Sequence, residues 1–293
     1  MARFGRFGEM MMKSAAKTVF IVGGSSGIGL EMAKQLAAKG SNVAIFARRK
    51  EALEAACAEI SQAVKKRKSA DQKVLSYVLD AADRDAAERQ LNLAIADLGV
   101  PDLLINSAGG AVPQEFEKIT ADDFLRTLQV NIFTAWNPCQ VLVPHMKRAG
   151  RGTIVNVSSV AGVVGTYGYT DYSLAKFGII GFSEALRGEL HPYGIQVHVV
   201  CPPDTQTPGF DNENLTKPPE TVALSAGAKL MSAEAVARAS LKQIGTKRFL
   251  IFANRESRGI DLARRLAPAV VRDQMDKIVA KSRSKNKSQA PKG

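Results

Sequence analysis

A glycine-rich turn between an apolar strand and a helix is the feature that most constrains the fold of this 293-residue chain. Residues 17–22 are mostly apolar, a pattern typical of a buried parallel strand. Residues 23–29 read Gly-Gly-Ser-Ser-Gly-Ile-Gly, and a helical pattern follows over residues 30–38. Glycines let a backbone approach a pyrophosphate closely, and a helix N-terminus supplies N–H donors and a positive dipole. We therefore predict a dinucleotide site at this turn, formed by Gly23, Ser25, Ser26, Gly27 and Ile28.

Strand and helix patterns then alternate along the chain. Apolar runs predict further strands at residues 42–47, 73–79, 103–105, 153–157, 195–201 and 248–252. Helical patterns lie between them, among others at residues 50–66, 83–98, 120–138 and 232–244. This alternation predicts an α/β fold, a Rossmann-type doubly wound parallel sheet with helices on both faces.

The same pattern predicts one domain with two basic ends. The domain would cover residues 17–255, preceded by a basic arm at 1–16 and followed by a basic extension at 256–293. Within the domain, the Pro-, Gly- and Asn-rich segment at about 204–231 predicts an irregular loop that covers a substrate. In the extension we predict helix over 260–280, broken at Pro268, and disorder over 281–293.

The net charge of +12 lies at the two ends of the chain. From residue 241 onward, 14 Lys and Arg residues stand against four Asp and Glu residues. Basic ends suit an anionic membrane surface, RNA or simple solubility, and they do not form a nucleic-acid groove across the fold. Because no apolar run has membrane-spanning length and no signal-peptide pattern is present, we expect a cytoplasmic protein. Three Cys and three His residues are scattered, so we expect free thiols and no metal site.

The ends of the other strands carry further candidate cofactor residues. Carboxyl ends of parallel strands share one edge of the sheet, where ligands bind. Arg48 ends the second strand, where an acid would bind the ribose hydroxyl of NAD; a cation suits the 2′-phosphate of NADPH, although it is also consistent with a solvated surface. Asp80 follows the third strand and can accept a hydrogen bond from adenine. Asn106, Ala108 and Gly109 follow the fourth strand and let a dinucleotide lie flat against it.

Tyr172 and Lys176 are the strongest candidates for chemistry. Four residues separate them, so on a helix they share a face, and a cation beside a phenol lowers the pKa of that phenol. The pair can then exchange protons at neutral pH. Ser159 follows the fifth strand and can hydrogen-bond a substrate oxygen, whereas Ser158 should point to the other side of the strand. Asn131 lies inside a predicted helix, where Asn competes for backbone bonds, which indicates a special polar role.

Together these residues resemble the classical short-chain dehydrogenases/reductases over about residues 17–255. The resemblance implies that Tyr172 protonates a carbonyl oxygen, that Ser159 polarises it and that Lys176 binds the nicotinamide ribose. It also implies that Asn131 holds a water that links Lys176 to solvent. The same resemblance places Pro202 and Thr205, which follow the sixth strand, against the cofactor. Two residues depart from the family pattern: Val22 stands where Thr is usual and Ser107 where Asn is usual.

A narrower resemblance lies in residues 202–221, which are similar to the 3-ketodihydrosphingosine reductases. It implies NADPH as cofactor and a long-chain ketone lipid with an amine as substrate, with Asp204, Asp211, Glu213 and Glu220 as candidate amine partners. The family further implies a homo-oligomer. The basic ends would bring such an enzyme to the cytoplasmic face of an anionic membrane.

Three alternatives remain open at the level of sequence. One is a related reductase for a 3-ketoacyl thioester or a steroid-like ketone. A second is a non-catalytic dinucleotide sensor or lipid-binding protein on the same fold, which the intact Ser159, Tyr172 and Lys176 disfavour. The third is RNA binding by the basic tail, although no nucleic acid partner is expected.

Overall fold

The computed structural model describes residues 17–64 and 71–289 as an α/β domain. The strands are β1 Thr18–Val22, β2 Asn42–Ala47, β3 Val74–Val78, β4 Leu103–Asn106, β5 Gly152–Val157, β6 Ile195–Cys201, β7 Thr205–Gln206, β8 Met231–Ser232 and β9 Leu250–Phe252. The helices are α1 Gly27–Ala37, α2 Lys50–Val64, α3 Arg84–Leu98, α4 Ala121–Leu128, α5 Thr134–Ala149, α6 Thr170–Leu190, α7 Pro208–Asn214, α8 Pro219–Ser225, α9 Ala233–Leu241, α10 Arg255–Leu266 and α11 Pro268–Gln289.

Seven of the strands form one parallel sheet in the order β3-β2-β1-β4-β5-β6-β9. The order reverses direction at β1, which pairs with β2 on one side and β4 on the other. Such a switch point opens a crevice at the carboxyl ends of the strands. The predicted fold class, a doubly wound sheet in a single domain, is confirmed.

Side chains of the central strands alternate between two apolar cores. In β1, Val19 and Ile21 pack with α1, α2 and α9, whereas Phe20 and Val22 pack with α3, α5 and α6. All five residues of β1 are buried. A strand covered on both faces needs a continuous apolar run, and this is the pattern that located the strands in the sequence.

The predicted helix at residues 120–138 is interrupted. A π-helical turn over Gln129–Phe133 separates α4 from α5, and α5 continues to Ala149. Asn131 lies in this turn, and its Nδ2 donates to the carbonyl oxygens of Thr127 (2.9 Å) and Gly110 (2.8 Å). The Asn side chain therefore occupies a backbone acceptor four residues back, the competition that makes Asn unfavourable inside a regular helix.

The prediction of one irregular loop at residues 204–231 is wrong. The segment holds α7, α8 and the parallel pair β7 and β8. Pro208 and Pro219 are the first residues of the two helices, where the missing proline N–H costs nothing. Thr207 caps α7 by accepting a hydrogen bond from the Phe210 N–H at 3.1 Å. The prolines thus mark helix starts rather than an unstructured chain.

The C-terminal extension is more regular than predicted. Helix α11 begins at Pro268 and runs to Gln289, so the prediction of disorder is wrong for residues 281–289. The predicted arm at 1–16 lies outside the described residues, as do positions 290–293. Within the described ranges, no helix is both long and apolar enough to cross a membrane.

One arginine attaches the far end of α11 to the domain. The Arg283 Nε lies 3.1 Å from Oε1 of Glu220, the buried second residue of α8. Its Nη2 donates to the Tyr167 hydroxyl at 2.9 Å. Because leaving a buried carboxylate without its partner is costly, this contact should hold α11 in place.

Replacing Arg283 with Ala should therefore loosen α11 without unfolding the sheet. We expect amide hydrogen exchange over residues 268–289 to become several-fold faster, while exchange in β1 and β4 stays unchanged. Arg272→Ala is the matched control, since Arg272 is an exposed residue of the same helix with no ion pair in the described part of the chain. Equal exchange in wild type and Arg283→Ala would contradict the assigned attachment.

Candidate active site

A cavity of about 830 Å³ lies at the carboxyl edge of the sheet, between β1, β4 and the helices that follow β6. Most of the residues predicted to bind cofactor or substrate line it. They are Gly23, Ser25, Ser26, Gly27, Ile28, Arg48, Asp80, Ala108, Gly109, Ser159, Tyr172, Lys176, Pro202 and Thr205. Of the predicted catalytic and cofactor-binding residues, Asn106 and Asn131 are not part of this lining; of the candidate amine partners, Asp211 and Glu220 are not.

The glycine turn after β1 forms a close-packed cradle at one end of the cavity. Gly23 has a φ of +78°, and a Cβ there would lie 2.5 Å from the backbone nitrogen of Ala108. A Cβ on Gly29 would lie 2.3 Å from the carbonyl oxygen of Gly23. Helix α1 begins at Gly27, and the Ser26 side chain at its N-cap accepts no bond from the helix. Only glycine permits these close backbone contacts. The N-terminus of α1 consequently lies at the cavity, where its N–H groups could bind a pyrophosphate.

Two cations face the same end of the cavity. Arg48 and Arg49 are exposed, line the cavity and form no hydrogen bond or ion pair within the described residues. Asp80 lies nearby, where its Oδ1 accepts from the Ala82 N–H at 3.0 Å. Unpaired guanidinium groups at the tip of the second strand suit a phosphate ester.

Asn106, predicted to contact the cofactor, is not part of the cavity lining. Its side chain is buried, and Nδ2 donates to Oδ1 of Asn156 at 2.8 Å. Asn156 in turn donates to Ser183 Oγ at 2.9 Å. The Asn106 side chain thus links β4 to β5 and α6 beneath the cavity. Its position at a strand end was visible in the sequence, but the direction of its side chain was not.

Tyr172 and Lys176 lie on the same face of α6, as their spacing predicts. The Lys176 Nζ is 5.4 Å from the centroid of the Tyr172 ring and donates to the carbonyl oxygen of Val157 at 3.1 Å. Ser159 follows β5 and accepts a hydrogen bond from the Ala161 N–H at 3.1 Å. Ser158 also belongs to the cavity lining, but its hydroxyl donates to the carbonyl oxygen of Lys176 at 2.8 Å.

The pKa of Tyr172 is raised, whereas the sequence predicts that Lys176 lowers it. Burial raises the pKa of this phenol, the charge of Glu213 raises it further, and a hydrogen bond with Ser159 lowers it in part. The predicted lowering by Lys176 does not govern this group. Burial also lowers the pKa of Lys176 to about 8, which weakens its positive charge near neutral pH. The phenol is consequently held in its protonated form, as a proton donor requires.

Asn131 is buried and is not part of the cavity lining. Its Oδ1 accepts from the Gly110 N–H at 3.2 Å, so both ends of the amide hold the backbone at Gly110. A Cβ on the adjacent Gly109 would lie 2.7 Å from Asn131 Oδ1 and 3.0 Å from Lys176 Nζ. The side chains of Asn131 and Lys176 therefore both lie against Gly109. The water predicted to join them stays a prediction.

Tyr169 and a group of apolar residues line the cavity without having been predicted as site residues. Tyr169 donates to Glu213 Oε2 at 3.0 Å, and its ring centroid is 5.5 Å from that of Tyr172. The group forms an apolar wall, which consists of side chains on α10 and α11. Its members are Ile260, Ala263, Val270, Val271, Met275 and Ile278. The shared helical face of Val271, Met275 and Ile278 was visible in the sequence, but not what it packs against.

The cavity combines hydroxyl groups that can protonate an oxygen with apolar side chains that can contact a hydrocarbon chain. Ser159 and the protonated Tyr172 supply two hydroxyl groups at the centre of the cavity. The same cavity is lined by the glycine cradle and by the apolar residues of α10 and α11. This geometry suits transfer between a ketone and an alcohol beside a dinucleotide.

Comparison with known proteins agrees with this chemistry. The family model for short chain dehydrogenase matches residues 17–218. A 3-dehydrosphinganine reductase of Danio rerio is 38% identical over 225 residues, which cover 76% of this chain and 67% of that protein. A 3-oxoacyl-(acyl-carrier-protein) reductase of Chlamydia muridarum is 31% identical over 201 residues, 69% of this chain and 76% of that protein.

A solved structure shows the same fold. The crystal structure of levodione reductase superposes with a TM-score of 0.73 at 23% identity, over 80% of this chain and 95% of that chain. The family model covers more than half of the sequence and includes the glycine cradle, Ser159, Tyr172 and Lys176. The chain thus belongs to the short-chain dehydrogenase family and is an oxidoreductase of ketone and alcohol groups.

Proposed function

We propose that this protein reduces the ketone of 3-ketosphinganine to the alcohol of sphinganine with NADPH. The observation that carries the proposal is the protonated Tyr172 beside Ser159, in a cavity that is also lined by the apolar residues of α10 and α11. A long-chain amino ketone needs both features, a proton donor at its polar end and an apolar surface for its chain. The identity of 38% to a protein named for this reaction supports the same assignment.

The cavity fits the dinucleotide at three places. The cradle at Gly23–Ile28 would hold the pyrophosphate, Arg48 the 2′-phosphate, and Lys176 the nicotinamide ribose. Pro202 and Thr205 lie at the end of β6, where they would border the nicotinamide. When bound, NADPH supplies the hydride for the carbonyl carbon.

The protein's own groups handle the carbonyl oxygen. Ser159 donates a hydrogen bond to that oxygen and so polarises the ketone. Tyr172 transfers its hydroxyl proton to the same oxygen as negative charge develops there. Lys176, held by the Val157 carbonyl, then lies beside a phenolate that it stabilises. Asn131 fixes the Gly109–Gly110 segment and is proposed to hold the water that returns the proton.

Replacing Tyr172 with Phe should lower kcat by about 10²–10⁴-fold, since the general acid is lost while the ring that packs against Tyr169 remains. NADPH binding, measured by fluorescence titration, should stay nearly intact. Tyr193→Phe is the control, because Tyr193 is exposed and lies outside the cavity lining. Turnover equal to wild type in Tyr172→Phe would rule out the mechanism.

Replacing Arg48 with Ala should raise the KM for NADPH by about 10-fold or more, which corresponds to the loss of one charge-assisted contact. The KM for NADH, which lacks the 2′-phosphate, should change little. The ratio of the KM for NADPH to the KM for NADH therefore measures the contact of Arg48 with the 2′-phosphate. Lys50→Ala is the control, since Lys50 is an exposed cation two residues away and is not part of the cavity lining. Its Nζ lies 3.9 Å from Oε1 of Glu54. An equal effect on both cofactors would contradict the assignment of Arg48.

We also propose that the protein works at an anionic membrane surface. Leu262 and Leu266 are 56% and 77% exposed and lie four residues apart on α10, with Arg258 on the same face. Val270, which is 57% exposed, joins this surface to the cavity lining. An apolar face flanked by cations is typical of helices that lie in a lipid interface.

The double variant Leu262→Glu, Leu266→Glu should abolish flotation with vesicles that contain phosphatidylserine, because it places carboxylates at the proposed interface. Leu93→Glu is the control at an exposed leucine on α3, and it should float as wild type does. Equal flotation of all three proteins, or none with any of them, would refute the proposal.

A second candidate is reduction of a 3-ketoacyl thioester, which the 31% identity to the Chlamydia muridarum protein favours. The two functions separate in one assay that follows NADPH oxidation with 3-ketosphinganine and with a ketoacyl thioester. The proposed function requires the higher kcat/KM for the amino ketone.

A further inference from the structure

Glu213 is a carboxylate of α7 that lines the cavity and forms no ion pair with a residue in the described part of the chain. It is partly buried, and its Oε2 accepts from the Tyr169 hydroxyl at 3.0 Å. The ammonium of nearby Lys217 donates to Asn214 Oδ1 at 2.8 Å and lies 3.9 Å above the Phe210 ring. Burial raises the pKa of Glu213 on balance, although the hydrogen bond from Tyr169 and the more distant charges of Lys217 and Lys176 lower it in part. A cation in direct contact with this carboxylate would therefore stabilise its charged form.

The carboxylate lies close to the reacting groups. Tyr169, its hydrogen-bond donor, packs its ring 5.5 Å from the ring of Tyr172. The charge of Glu213 raises the pKa of Tyr172 and opposes the lowering of the Lys176 pKa by burial. Glu213 thus acts electrostatically on both members of the pair. A cation bound to it would sit beside the point where the ketone is protonated.

The other acids of this segment are placed differently. Asp211 accepts from Gln206 Nε2 at 2.7 Å and is not part of the cavity lining. Glu220 is paired with Arg283 and also lies outside the lining. Asp204 also lines the cavity, and its charge also raises the pKa of Tyr172. No hydrogen bond of its side chain links it to Tyr169 or Tyr172, whereas Glu213 accepts from Tyr169. Glu213 is therefore the acid that the structure connects to the proton donor.

We propose that Glu213 binds the ammonium group that the substrate carries on the carbon next to its ketone. The inference rests on the proposed function, in which the ammonium nitrogen is two bonds from the carbonyl carbon. A carboxylate that recognises it must lie beside Tyr172, as Glu213 does. Pairing would cancel the charge that opposes ionisation of Tyr172, so the amino ketone would make its own proton donor more acidic. Glu213 would then determine specificity as well as affinity.

The test compares 3-ketosphinganine with 1-hydroxyoctadecan-3-one, which lacks only the amine. The readout is the ratio of kcat/KM for the amino ketone to kcat/KM for this analogue. We expect Glu213→Gln to lower the ratio by about 10–100-fold, as loss of a charge-assisted pair predicts. Asp211→Asn, on the same helix and outside the cavity, should leave the ratio as in wild type.

Three outcomes would overturn the assignment: an unchanged ratio in Glu213→Gln, an equal loss on both substrates, or the selective loss in Asp204→Asn instead. Calorimetric binding of sphinganine and octadecane-1,3-diol gives a second measure, and Glu213→Gln should lose the preference for the amine. A wild-type protein that reduces neither ketone would refute the proposed function itself. A wild type that reduces both equally would refute only the role of Glu213.

Discussion

The attachment of α6 to the end of β5 is the constraint on which the active site depends. Lys176 reaches the Val157 carbonyl with Nζ (3.1 Å), and its own carbonyl receives the Ser158 hydroxyl (2.8 Å). A Cβ on Gly162 would lie 2.3 Å from Ser158 Oγ, so glycine is required for this approach. The two bonds fix the helix that carries Tyr172 relative to the strand end that carries Ser159. A shift of one helical turn would separate the two hydroxyl groups, and the chemistry would be lost with the topology intact.

Burial, rather than charge, sets the protonation of this site. In water, Lys176 one helical turn from Tyr172 would lower the pKa of the phenol, as the spacing predicts. In the structure both groups are desolvated, which disfavours phenolate and ammonium alike. The charge of Glu213 adds to this effect at Tyr172 and opposes it at Lys176. A neutral phenol is the form that donates a proton to a ketone. Desolvation depends on the whole surroundings of a group, so spacing along the chain could not predict it.

The sequence predicted those features that depend on local pattern. Strands buried on both faces read as apolar runs, and the glycine turn is required by backbone contacts such as that of Gly23 with Ala108. Features that depend on side-chain direction or distant partners were missed. Asn106 turns toward Asn156 rather than the cavity, and residues 281–289 are helical where α11 meets Glu220 through Arg283. Pro208 and Pro219 were interpreted as loop residues although proline is favoured at the first position of a helix.

The candidate catalytic residues and the apolar residues of the cavity lie in different parts of the chain. The family match ends at residue 218, and it contains the cradle, the hydroxyl pair and Lys176. The apolar wall lies beyond it, on α10 and α11, with Ile260 and Ile278 near its two ends in the sequence. Because α11 is tied to α8 by Arg283, the wall is fixed to the same segment that carries Glu213 into the cavity. Under the proposed function, proton transfer would belong to the end of β5 and to α6, whereas the shape and charge of the substrate would be recognised by the helices that follow β6.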